Sequence, residues 1–317
     1  MPKARTIEIP RDAVDVILKF GEREVRLTNL KKPFWKKLGI TKRDLLQYYA
    51  DVSRWLLPHL VDRAMVMKRY PNGAEGDFFY MKRAPEPRPE WIEICDIMHT
   101  EGNVNFPIVQ DLPSLLWLIN LGCIDLNPWY ARCDDTDRPD FLHFDLDPGP
   151  GSNFAQVREV ALRVRDILGS LNMTTYAKTT GSKGIHIYIP IVRAPLQKEV
   201  WGFAKAIALE LEARHPKILT AEYRKVKRPY ARVLVDYNQN AWGRTLASIY
   251  SVRPTPFAGV SMPVTWEEIE GGVRIDDFRI DNAIERLNDV GDLWKPVLAK
   301  KRYDLMKVVT AAKKKTR

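Results

Sequence analysis

The sequence predicts a mixed α/β fold, α+β in character, with mixed or antiparallel sheets flanked by helices. Three observations lead there. Apolar or alternating runs at 141–149, 173–178, 185–191 and 232–236 have the length and composition of strands. Segments with apolar residues at helical spacing, at about 42–57, 154–168 and 198–214, are interleaved with them. The turn Gly181-Ser182-Lys183-Gly184 joins two hairpin-like strands, which points to an antiparallel part rather than a purely parallel sheet.

Thr41, with Asp44 three residues on, forms a capping box for the first helix. Leu45, Leu46, Tyr49, Val52 and Leu56 make its apolar stripe, and Pro58 is expected to end it. The proline-rich stretch 84–89 is expected to cross the surface as a loop. Ser152 or Asn153 caps the second helix, whose inward residues are Phe154, Val157, Ala161, Val164 and Leu168. Trp201, Ala204, Ala208 and Leu211 are expected to point inward from the third. With no internal repeat or low-complexity segment, the expectation is one catalytic domain over 1–317, with its core at about 25–295 and a basic tail at 310–317.

A chain of 317 residues with 45% apolar content can build one large core or two ordinary ones. It has no run of 18 apolar residues, and no apolar region follows Met1-Pro2-Lys3-Ala4-Arg5, so neither a membrane span nor a secretory signal is expected. Cys95, Cys123 and Cys133 are an odd set without a C-x-x-C pair. They argue against a disulfide framework and a cysteine zinc site, and fit a reducing cytoplasm. Fifty Lys and Arg against 40 Asp and Glu give a net charge of +10, which favours a polyanionic partner such as nucleic acid.

The segment Phe141-Leu142-His143-Phe144-Asp145-Leu146-Asp147-Pro148-Gly149 carries the chemistry. Alternate side chains of a strand share a face, so His143, Asp145 and Asp147 point one way and Leu142, Phe144 and Leu146 the other. Two like charges on one face repel, and a cation between them offsets that cost; oxygen ligands suit Mg or Mn. Asp236 ends another predicted strand and completes a set of three acids. Such acids can bridge two metals about 3.5–4 Å apart for phosphoryl transfer. The turn Thr179-Thr180-Gly181-Ser182-Lys183-Gly184 offers backbone N–H groups, hydroxyls and a charge to a phosphate, and His186 follows it. It is not a Walker A loop, which needs G-x-x-x-x-G-K-[ST].

These three blocks, with Leu27-Thr28-Asn29, the run from Thr41 to Tyr49 and Tyr250-Ser251-Val252-Arg253, occur in an order and spacing that resemble one family. It is the polymerase domain of bacterial and archaeal DNA ligase D, within the archaeo-eukaryotic primase superfamily. The likeness runs from about Val25 to Trp294. It implies the primase-polymerase fold and an enzyme that extends or fills 3′ ends at breaks and gaps in non-homologous end joining. A preference for ribonucleotides, and for Mn over Mg, goes with it. By the same resemblance Asp145, Asp147 and Asp236 hold two ions, and Thr180, Ser182, Lys183, His186 and Arg253 face the nucleotide triphosphate. Asn29, Lys32 and Lys42 match a pocket for the 5′-phosphate across a gap, and Phe78 and Phe79 match aromatics that stack on the template side.

Two departures stand out. Asn127 replaces the histidine usual before Pro-Trp, which bears on metal preference or nucleotide choice, and Thr180 stands where serine is usual. There is no Lys-x-Asp-Gly ligase signature, so a separate ligase and the Ku end-binding protein are implied partners, with a nucleoid-associated location. Two other functions share some of these residues. A non-catalytic module could hold a 5′-phosphorylated end and recruit a ligase, but the acids would oppose DNA without metal. A metal nuclease shares the acids, yet the turn with His186 and Arg253 favours a triphosphate.

Overall fold

The computed structural model describes residues 7–100, 102–299 and 302–307. It is a mixed α/β structure, as expected, and its paired strands are antiparallel in all but one pair among the main sheets. The chain divides into two compact units. The first comprises Met1–Trp129, Ala247–Ser261 and Phe278–Gly291, and the second Tyr130–Leu246, Met262–Asp277 and Asp292–Arg317. The basic tail at 310–317 lies outside the described residues.

In the first unit, the helix Lys42–Leu60 starts at the predicted capping box: Thr41 Oγ1 accepts the Asp44 N–H, and the Asp44 carboxylate accepts the Thr41 N–H. Its predicted stripe is fully buried. Pro58, expected to end the helix, lies inside its last turn. A proline there forfeits one backbone bond near an end that frays in any case, so the helix runs on to Leu60. A second helix, Leu112–Asn120, is capped by Asp111 with Ser114 and was not anticipated; it is too apolar all round to show helical periodicity. The strands Phe79–Met81, Met65–Arg69 and Cys123–Pro128 form an antiparallel sheet in that order. The Tyr48 hydroxyl donates to the Tyr250 carbonyl at 2.8 Å, and the Val252 N–H donates to the Tyr49 hydroxyl at 3.0 Å. Two successive tyrosines of the helix thus hold the segment leading to Arg253.

The second unit is built on a six-stranded sheet with the order Leu219–Thr220, Val233–Asp236, Phe141–Pro148, Ile185–Pro190, Tyr176–Thr179, Pro263–Val264. Only the first pair is parallel. The predicted strands are present with shifted ends; the one expected at 173–178 is Tyr176–Thr179. Leu142, Phe144 and Leu146 are fully buried, and helices Phe154–Ser170 and Gln197–Arg214 pack on the Phe141–Pro148 strand. The third helix buries Val200, Ala204, Ile207, Ala208 and Leu211, but Trp201 is only half-buried. Its indole N–H donates to Asn238 Oδ1 at 3.2 Å, and that polar need keeps the ring at the rim of the core.

Cys123 is a free, buried thiol. Among the described residues no helix is long and apolar enough to cross a membrane.

Candidate active site

Strand register in the second unit sets four chemistry-bearing residues in one transverse row. Asp236 pairs with Asp145, Asp145 with His186, and His186 with Lys178. Directly opposed residues of paired strands share a face, so the row is a single line across four strands. Asp147, two residues beyond Asp145, lies on the same face and pairs with Leu234.

Each carboxylate of the row has a polar neighbour. Asp236 accepts the Asn238 N–H at 2.8 Å and the Gln239 amide at 3.2 Å. Asp145 Oδ1 lies 3.3 Å from His186 Nε2. Burial and then the charge of Asp145 push the Asp236 carboxyl above its ordinary value, against the pull of its hydrogen bonds. The two acids are therefore electrostatically in conflict, and a divalent cation would relieve that conflict. The donors are all carboxylate oxygens, the type that Mg and Mn take. Among the described residues no three His, Cys, Asp or Glu side chains already converge as a ligand set. Asp236 is turned toward protein donors, so holding an ion would require that side chain to re-aim.

The turn after the Tyr176–Thr179 strand is organised from within. Thr180 Oγ1 accepts the N–H groups of Ser182, Lys183 and Gly184 at 3.2, 3.1 and 3.0 Å. The backbone donors that the sequence offered to a phosphate are thus aimed at Thr180, which is buried, while Ser182 is half-buried and Lys183 is exposed. Gly184 is required by close approach: a Cβ there would collide with the Leu146 carbonyl oxygen and lie 3.1 Å from Asp147 Oδ1. The turn consequently sits directly on the acid-bearing strand.

The first unit holds the remaining candidates. Arg253 Nε donates to Asp125 Oδ2 at 3.0 Å, and Lys68 Nζ lies 3.9 Å from the same oxygen. Asp125 is buried, and burial raises its pKa while Arg253 and Lys68 pull it down. Arg253 is thus anchored by a buried carboxylate. Asn127 is buried too, and its amide donates to the Asp125 carbonyl at 3.1 Å.

Asn29, Lys32 and Lys42 gather at the start of the Lys42–Leu60 helix. The Lys32 N–H donates to the Asn29 carbonyl at 3.0 Å and the Lys42 N–H to the Lys32 carbonyl at 2.8 Å. Asn29 takes a left-handed φ of 55°, which turns the chain back over the helix start. Lys42 is buried, and its Nζ donates to the Thr28 carbonyl at 2.7 Å. Burial, then the charge of Lys32, lowers its pKa to about 8. Two lysines at a helix N-terminus favour an anion.

Phe78 and Phe79 are 49% and 46% exposed, so they are surface rings rather than core. Lys68 Nζ lies 4.1 Å from the Phe78 centroid and the Arg69 guanidinium 5.3 Å from that of Phe79. Lys68, Arg69, Asp125, Lys178 and Gln239 are contributors that the sequence did not single out. Only Lys178 left a trace, as a charge inside a short predicted strand two residues before Thr180.

The comparisons with known proteins agree with this architecture. A family model described as "LigD, primase-polymerase domain" matches residues 41–294. The chain belongs to that family, which is one of DNA nucleotidyltransferases. It is similar to the multifunctional non-homologous end joining protein LigD of Mycolicibacterium smegmatis, 32% identical over 275 residues, covering 86% of this chain and 36% of that protein. The bifunctional LigD of Bacillus subtilis is 30% identical over 269 residues, covering 84% of this chain and 43% of that protein. The chain spans 36–43% of the length of these curated relatives. Among solved structures, the polymerase domain from Mycobacterium tuberculosis ligase D in complex with DNA matches with a TM-score of 0.80 and 30% identity, covering 86% of this chain and 98% of that one.

Proposed function

We propose that the chain is a single catalytic domain that extends or fills 3′ ends at DNA breaks and gaps, copying a template. The observation that carries this is the row Asp236–Asp145–His186, with Asp147 beside it and the Gly181–Gly184 turn seated on the same strand. Asp145, Asp147 and Asp236 would hold divalent ions, Mn or Mg. Ions in such a site lower the pKa of an attacking hydroxyl and neutralise the leaving pyrophosphate.

The chain's own residues do the rest. His186 Nε2 and the exposed Lys183 offer donors to a triphosphate, and Thr180 and Ser182 shape the turn that receives it. Arg253, fixed by Asp125, adds a planar charge suited to phosphate oxygens. Asn29, Lys32 and Lys42 bind the 5′-phosphate on the far side of a gap. Phe78 and Phe79 stack on template bases. Ribonucleotides are the preferred substrate in this reading, Ku and a separate ligase act beside the protein, and it works in the cytoplasm at the nucleoid.

Primer extension on a gapped, 5′-phosphorylated template, with each NTP and dNTP in Mg and in Mn, tests the proposal. Extension that needs metal and is lost in Asp145→Ala supports it. Undiminished extension by that variant rejects it and leaves the alternative of a non-catalytic end-binding module.

A further inference from the structure

Lys178 plays no part in the function above, yet it is 0% exposed. A lysine is rarely buried without a partner, because its ammonium gives up solvation. Here one partner is on the next strand: Nζ lies 2.7 Å from His186 Nδ1. The other ring nitrogen, Nε2, is 3.3 Å from Asp145 Oδ1. Lys178 pairs in register with His186, and His186 with Asp145, so the contacts follow from the pairing of three strands. Lys178 Nζ also lies 5.9 Å from the centroid of the Tyr188 ring, whose face favours a cation.

An ammonium has three hydrogens and no lone pair, so toward Nδ1 it can only donate. Nδ1 must then be bare, and the ring hydrogen belongs on Nε2. We propose that Lys178 is a positioning residue that locks His186 in the Nε2–H tautomer, so that the ring presents a donor to the carboxylate row and to an incoming triphosphate. The triphosphate half of this statement rests on the function proposed above. The tautomer has a second consequence. An Nε2 that carries hydrogen has no lone pair for a cation, so His186 stays out of the metal coordination although it touches Asp145. In the other tautomer it would aim a lone pair at the carboxylate oxygens and compete with them for the ion.

Nitrogen-15 NMR of the histidine-labelled full chain, without metal or nucleotide, reads the tautomer directly, and His186→Gln assigns the signal. The expected result is Nε2–H in the wild-type protein. A ring protonated on Nδ1, or on both nitrogens, overturns the proposal without any variant having to fold. Asp145→Ala removes a second group that favours Nε2–H. The tautomer should survive in that variant and give way to a mixture in Lys178→Met/Asp145→Ala; loss of Nε2–H in Asp145→Ala alone assigns the control to Asp145 and overturns the role of Lys178. In the otherwise wild-type chain, Lys178→Met should raise the KM for nucleotide about tenfold with a smaller effect on kcat, and Lys178→Arg should restore most of it. An unchanged KM in folded Lys178→Met breaks the link to the triphosphate. Because the NMR sample contains no nucleotide, its failure is distinct from that of the polymerase assignment, which would show as absent extension by the wild-type chain.

Discussion

Asp145 and Asp236 face each other across adjacent antiparallel strands, the one within the longest strand of its sheet and the other at the end of a shorter strand. Two acids in register and largely out of water oppose folding unless something positive joins them. The sheet keeps both, as expected where stability is given up for function. Asp236→Asn should therefore leave the metal-free protein at least as stable as wild type while lowering primer extension by about a thousandfold, in line with the loss of a group that stabilises transition-state charge. Urea unfolding in chelator alongside an extension assay checks both halves. The pH dependence has a definite sign. Because the folded carboxyl titrates above its ordinary 3.8, its contribution to stability is complete below that pH and is lost as pH rises through the folded value. Asp236→Asn should lack that slope.

Asp125 holds Arg253 and Lys68 together beneath the surface. Asp125→Ala leaves two cations facing each other, so unfolding in urea should show a loss of about 3–5 kcal/mol. The KM for nucleotide should rise as well, because Arg253 loses its anchor. A variant with full stability and unchanged KM would mean that the carboxylate neither supports the fold nor orients the arginine.

Lys42 should make recognition of the 5′-phosphate pH-dependent. Its folded pKa of about 8 means that it is cationic at neutral pH and neutral in mild alkali. The ratio of affinities for 5′-phosphate over 5′-hydroxyl gapped DNA should fall as pH rises above about 8, and Lys42→Met should flatten that profile. Stability moves in the opposite direction. The unfolded lysine keeps its proton up to about 10.5, so between these two values the fold should become more stable as pH rises. Fluorescence titrations and thermal melts from pH 7 to about 10 read the two effects separately.

Phe78 and Phe79 expose about half of their surface, so removing them should cost little folding energy. Affinity for template overhangs should nevertheless fall by about 1–3 kcal/mol for each ring that stacks on a base. The slope of binding against salt should stay nearly unchanged, because no phosphate contact is removed. A changed salt slope with intact affinity at low salt would point to a structural role for the rings.

Much of the fold was legible in the sequence. Apolar spacing marked the helices that begin at Lys42, Phe154 and Gln197, and capping residues marked the first two, since a helix buries a stripe that its own period reveals. Alternation marked the Phe141–Pro148 and Ile185–Pro190 strands. The helix Leu112–Asn120 was missed because an element buried on most sides has no polar phase to read. Trp201 was placed too deep because spacing ignores the hydrogen bond that an indole N–H requires.

What the sequence alone determined is the local chemistry: two acids on one face of a strand and a third at the end of another, a glycine turn between two strands, and lysines beside a helix start. Those follow from the backbone periods of 2 and 3.6, which act over a few residues. Tertiary structure decided which of these residues meet. Asp145 has Asp236 on one side and His186 on the other, with Lys178 behind the histidine, because a hairpin pair and two strands from other parts of the chain pair in one register. Register depends on which strand lies beside which, and a one-residue slip would turn the whole row to the opposite face.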